Sequence, residues 1–166
     1  DHASPATAWR FEEDGSVSGA EVITLPMEMN ALSLDYLSKA VKCIVDAGGT
    51  TSRQAGMHTN ITSDSLDTVE KWNTLFALWG GFEDTLYRLF ANPFRTRLHR
   101  NNGYNTAAVI SEAQTMAEAV RQNSNYGRTA LNTANVETDG QGYIEFRAPD
   151  SSLHIPTMLT QIMVLT

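Results

Sequence analysis

Tyr143-Ile144-Glu145-Phe146-Arg147-Ala148-Pro149-Asp150 is the stretch whose reading decides the fold. Successive side chains of a strand point to opposite faces. Ile144 and Phe146 therefore share one face, while Tyr143, Glu145 and Arg147 share the other. The first pair asks for a core. The second set puts a carboxylate and a guanidinium side by side on a sheet surface. The same pattern also suits an ordinary amphipathic strand with an exposed ion pair. A second stretch, Ala55-Gly56-Met57-His58-Thr59-Asn60-Ile61, alternates in the same way, with Met57 and Ile61 on one face and His58 and Asn60 on the other.

The chain has 166 residues and a formal net charge of -7, enough length for one domain with a real core. The acidic balance argues against general nucleic-acid or membrane-surface binding. Cys43 is the one cysteine, so no internal disulfide holds the fold. It falls in an apolar helical pattern and reads as a small buried hydrophobe. No window approaches the roughly 18 apolar residues of a membrane span, and the first residues are no secretory signal. The chain starts at Asp1 and stops inside the apolar run Ile162-Met163-Val164-Leu165, so a piece of a longer protein is expected.

In chain order, Trp9 leads towards an edge strand, and Glu13-Asp14-Gly15-Ser16 signals a tight turn. Gly19-Ala20-Glu21-Val22-Ile23-Thr24 reads as a short strand stopped by Pro26. Glu21 there either faces solvent or aims into a site. Residues 31–47 form a helix with Ser33 as cap and a stripe of Leu34, Leu37, Val41, Ile44 and Val45, ended by Gly48-Gly49. The longest helical pattern runs from Asp67 to Phe90. Asp67 and Glu70 resemble a capping box, and Val69, Trp72, Phe76, Trp79, Phe82, Leu86 and Leu89 recur as a core stripe. Gly80-Gly81 predicts a kink or two tandem helices.

Between Arg95 and Arg100 this acidic chain concentrates three arginines and a histidine in six residues. That is either a solvated loop or an anion site, since guanidinium forks suit phosphate and carboxylate. A helix opening at Ser111 follows, then a short strand over Arg128-Thr129-Ala130-Leu131-Asn132. Thr138-Asp139-Gly140-Gln141-Gly142 turns the chain into the Glu145 strand, and a last helix carries Ile155, Leu159, Ile162 and Met163. The fold class that follows is α+β, with short antiparallel strands in a curved sheet and helices on its outer face. No Walker loop, zinc-type Cys/His spacing, dinucleotide glycine pattern or serine–histidine–aspartate arrangement is present.

Gly56-Met57-His58-Thr59-Asn60 resembles the Gly-x-His strand of the glutamine synthetase superfamily. Glu145-Phe146-Arg147 resembles that superfamily's strand with a metal-binding Glu and an Arg two residues on. The amidoligase branch, ATP-dependent carboxylate–amine ligases of bacteria and phages, is closer still. It resembles this chain in the acidic turn, the Glu21 strand, the His58 strand, an Arg/Asn/Tyr loop like Arg95 to Tyr104, an Arg-x-x-x-Asn segment like Arg128 to Asn132, and the Glu-Phe-Arg strand. The resemblance runs from about Asp14 to the end of the chain. It departs in three places: the family's earlier strand with paired carboxylates would precede Asp1, the second position of the His-x-His pattern is Asn60, as in some synthetases, and the cysteine many members carry after the Arg loop is absent.

The resemblance implies a glutamine synthetase-like catalytic domain that uses ATP and Mg²⁺ or Mn²⁺ to join a carboxylate to an amine through an acyl phosphate. Such chemistry rests on charge neutralisation and positioning. By the same resemblance Glu21, His58 and Glu145 are metal ligands, and Glu145 and Arg147 are catalytic. Asn60, Arg95, Arg97, Arg100 and Arg128 hold ATP or substrate. The substrate would be an amino acid, peptide or polyamine, in the cytoplasm of a bacterium or of a phage-infected host. Superfamily members often complete their sites across subunits of a homo-oligomer. Two other readings stay open: a kinase of guanidino groups on the same fold, and a catalytically inactive copy serving as a binding or structural module, for instance in a phage particle.

Overall fold

The computed structural model describes residues 9–14, 18–90, 115, 116, 118, 129–137 and 139–166. The Arg95–Arg100 loop, Arg128, the helix expected from Ser111 and the Gly15-Ser16 turn lie outside them. The fold is mixed α+β with small antiparallel sheets, as the alternating and helical patterns require. In chain order the described elements are β1 (Arg10–Glu13), β2 (Ala20–Ile23), α1 (Ala31–Asp46), β3 (Thr59–Thr62), α2 (Val69–Phe90), β4 (Leu131–Asn132), β5 (Tyr143–Phe146) and α3 (Ile155–Leu165). β1 and β2 pair as a hairpin with Glu12 opposite Glu21. The second sheet has the order β3-β5-β4. The strand of Glu21 and those of His58 and Glu145 thus belong to two different sheets among the described residues, where a single curved sheet was expected.

The core forms where α2 meets one face of the three-stranded sheet. Trp72, Phe76 and Trp79 cluster with Ala130, Leu131, Val136, Ile144, Phe146 and Ala148. The Trp79 and Phe146 rings stand 5.5 Å apart, centroid to centroid. The other face of β5 is left for Glu145. The turn before β5 is fixed by Gly142, whose φ is 124°. A Cβ there would collide with the Asn135 carbonyl, so no other residue fits. Ser63, fully buried, clamps this turn by donating from Oγ to Gly140 O at 2.6 Å.

The two long helices correct several expectations. α2 runs unbroken through Gly80-Gly81. Each glycine costs about 1 kcal/mol in a helix interior, but Trp79 and Phe76 anchor the turn before the pair. Trp79 Nε1 also donates across it to the buried Glu83 Oε1 at 3.4 Å. The buried stripe turns through Glu83 and Phe90, while Phe82 and Leu89 are 57% and 64% exposed. Thr68, not Asp67, caps the helix, its Oγ1 accepting from Lys71 N; Asp67 pairs with Lys71 Nζ at 2.7 Å instead. The cap of α1 is Asn30, whose side chain accepts from Ser33 N at 3.0 Å. Asn caps as well as Ser, and it stands directly before Ala31, where the helix was expected to begin. Cys43 is exposed, since it lies two residues, roughly 200°, round the helix from the buried Val41.

Trp79→Ala should cost about 3–5 kcal/mol in urea unfolding, whereas Phe82→Ala should stay within about 0.5 kcal/mol of the native chain. Equal costs would place the buried face of α2 wrongly.

Candidate functional site

The register of the second sheet builds the site. Asn60 and Asn132 are both paired with Glu145, one on each side, so all three residues stand in a row across β3, β5 and β4 on the face opposite the tryptophans. Beyond Phe146 the pairing slips. Thr59 faces Phe146 and Gly56 faces Asp150, so Met57 and His58 oppose Arg147, Ala148 and Pro149. This is a β-bulge, which bends the strand and re-aims side chains beside it. Pro149 fits there because the position asks for no ladder N–H; its carbonyl accepts from Met57 N at 2.9 Å. Arg147 N donates to Ala130 O at 2.7 Å, which holds β4 to the same point.

Glu145 is 9% exposed. Its Oε1 accepts from Arg147 Nη1 at 2.7 Å and lies 3.2 Å from His58 Nδ1. Its Oε2 accepts from Asn132 Nδ2 at 2.7 Å. Burial by itself would raise its pKa. The hydrogen bond from His58, the charge of Arg147, the hydrogen bond from Arg147 and the charge of His58 outweigh that and hold it at about 2. Tyr143, on the same strand face, is pushed up by burial and then by the Glu145 charge. The result is an anion kept ionised in a nearly dry place, with a guanidinium and an imidazole against one of its oxygens.

The structure therefore brings together His58, Glu145 and Arg147, with Asn60 exposed at the margin. It does not bring Glu21 to them. Glu21 is exposed on the hairpin opposite Glu12. Among the described residues no group of three His, Cys, Asp or Glu side chains is gathered to hold a metal ion. Arg95, Arg97, Arg100 and Arg128 lie outside the described residues. Sequence reasoning gave Asn132 no role, although strand parity opposite Glu145 was the signal that would have found it.

A His58–Glu145 pair would suit Mg²⁺ or Mn²⁺ once Nδ1, which stands as donor to Oε1 here, gives up its proton to the solvent. Neighbouring ligands with bonds of about 2.1 Å at a right angle stand about 3 Å apart, close to the 3.2 Å between Nδ1 and Oε1. A carboxylate oxygen has two lone pairs, so Oε1 can keep Arg147 and take a cation as well. Mg²⁺ commonly fills its other positions with waters and substrate phosphates. No helix among the described residues is long and apolar enough to cross a membrane. No protein-family model matches the chain, and neither a curated protein nor a solved structure matches it.

The sign of the Glu145 shift sets a pH dependence. The folded value, about 2, lies below the ordinary 4.5. The stability this group contributes is present above about pH 4.5 and is lost as pH falls towards 2. It is on the order of 3 kcal/mol. The difference in urea-unfolding free energy between native and Glu145→Gln chains should shrink by that amount from pH 5 to pH 2. A difference independent of pH would contradict the assignment.

Proposed function

We propose that this chain is an ATP-dependent carboxylate–amine ligase of the amidoligase type, acting through an acyl phosphate on an amino acid, peptide or polyamine. The observation that carries the reading is the meeting of its two principal motifs. The His58 strand and the Glu145–Arg147 strand, far apart in sequence, pair directly and set an imidazole, a carboxylate and a guanidinium on one sheet face. The proposal includes a glutamine synthetase-like arrangement of the whole catalytic domain.

In this reading His58 and Glu145 would hold a divalent cation, which when bound neutralises phosphate charge. The network around Glu145 keeps its carboxylate ionised without bulk water. Arg147 supplies fixed positive charge for a phosphoryl group or a substrate carboxylate, a preorganised arrangement that needs no rearrangement as charge develops. Asn60, exposed beside Glu145, offers an amide to the substrate. Arg95, Arg97, Arg100 and Arg128 are proposed for ATP phosphates or the substrate carboxylate. Glu21 would serve the metal only if the hairpin moved to the site.

A second reading, an inactive copy used as a binding or structural module, is favoured by that exposed Glu21 and by the lack of a third ligand among the described residues. With Mg²⁺ or Mn²⁺ and a pool of amino acids and polyamines, the ligase reading expects ATP consumption that depends on an amine and yields an amide. Glu145→Gln should lower it by at least about 100-fold with the fold retained. A stable phosphorylated product would instead indicate a guanidino kinase. Absence of both nucleotide and metal binding by calorimetry would favour the inactive module.

A further inference from the structure

Two asparagines flank Glu145 at the same register, and the structure treats them differently. Asn60 on β3 is exposed. Asn132 on β4 is 3% exposed and has both ends of its amide engaged. Its Oδ1 accepts from Ala134 N at 3.0 Å, and its Nδ2 donates to Glu145 Oε2 at 2.7 Å. The first bond settles the second. An asparagine amide looks nearly the same either way round, but a backbone N–H on one end leaves only the NH₂ end for the carboxylate. Asn132 thus cannot turn to meet a ligand without abandoning a backbone donor and a buried anion together.

We infer that Asn132 is the positioning residue of the site: it pins Oε2 so that Oε1 is turned towards Arg147 and His58. Rotation of the Glu145 carboxylate about its last bond requires breaking the Asn132 bond at one oxygen and the Arg147 bond at the other. The edge strand β4 acts on the site through this one side chain. The inference rests on the ligase reading for its effect on turnover, and on geometry alone for the bond itself. Asn132→Asp is the sharp substitution. It keeps the shape and the acceptor for Ala134, and replaces the donor facing Oε2 with a second oxygen.

Two measurements test this. In the native ¹⁵N-labelled chain, the Asn132 side-chain amide should exchange its hydrogens at least about tenfold more slowly than that of Asn60, because it is buried and bonded. In Glu145→Ala, with tertiary structure verified by near-UV circular dichroism, this protection should fall towards the Asn60 level. Asn132 exchanging as fast as Asn60 in the native chain, or keeping full protection without Glu145, would overturn the inference. In the turnover assay, Asn132→Asp should lower kcat by about tenfold or more with the KM for ATP unchanged, the mark of misaligned chemistry rather than lost binding. Native kcat in this variant would also overturn it. A native chain that turns over no ATP counts against the ligase reading alone, and the exchange measurement then decides on Asn132 by itself.

Discussion

One buried charge organises this structure. An ionised carboxylate taken out of water is costly unless donors replace the water, and Glu145 draws its donors from three separate stretches of chain. His58 comes from before β3, Asn132 from β4 and Arg147 from just beyond β5. That requirement favours the same register of β3 and β4 against β5 that the apolar face favours. A slip of one residue would turn Glu145 into Trp72, Phe76 and Trp79 and leave Ile144 and Phe146 on the polar face. Packing on one side of the sheet and charge satisfaction on the other select the same pairing.

The alternation of β5 and β3 was legible because one face of each must be apolar to meet α2. Ile144, Phe146 and Ile61 fell where period two puts them, and His58 and Asn60 fell together on the other side. The bulge opposite Arg147 was not legible. It depends on where two distant strands stop matching, which no local pattern records. Local propensity also misread Gly80-Gly81, where tertiary anchoring of Trp79 outweighs the cost of two glycines. The stripe of α2 was placed about one residue off at its far end because Phe82 looks like core and Glu83 does not. Glu83 is nonetheless the buried one, bonded to Trp79, and a carboxylate in that position breaks the rule that apolar residues mark the inner face.

For the candidate site, the residue types were legible and their assembly only in part. His58, Glu145 and Arg147 converge because their strands are direct neighbours. Glu21 does not join them. A short hairpin with its own partner strand satisfies its backbone locally, and nothing in the Gly19–Thr24 pattern distinguishes a strand that joins the main sheet from one that pairs with β1. Asn132 stood in the sequence only as the end of the Arg-x-x-x-Asn segment, without a role, because an asparagine in a short strand carries no chemical signature until the carboxylate opposite it is known.

The division of labour around Glu145 links this architecture to chemistry. Asn132, sealed between a backbone N–H and Oε2, holds the geometry; Arg147 and His58 face the other oxygen, which is where the proposed ligase reading puts a cation or a phosphoryl group. All of this requires Glu145 to be ionised while buried. The most direct measurement is a ¹³C NMR titration of the Glu145 side-chain carboxyl in the folded chain. The expected midpoint is about 2; a midpoint near the ordinary 4.5 would contradict the buried, ionised carboxylate.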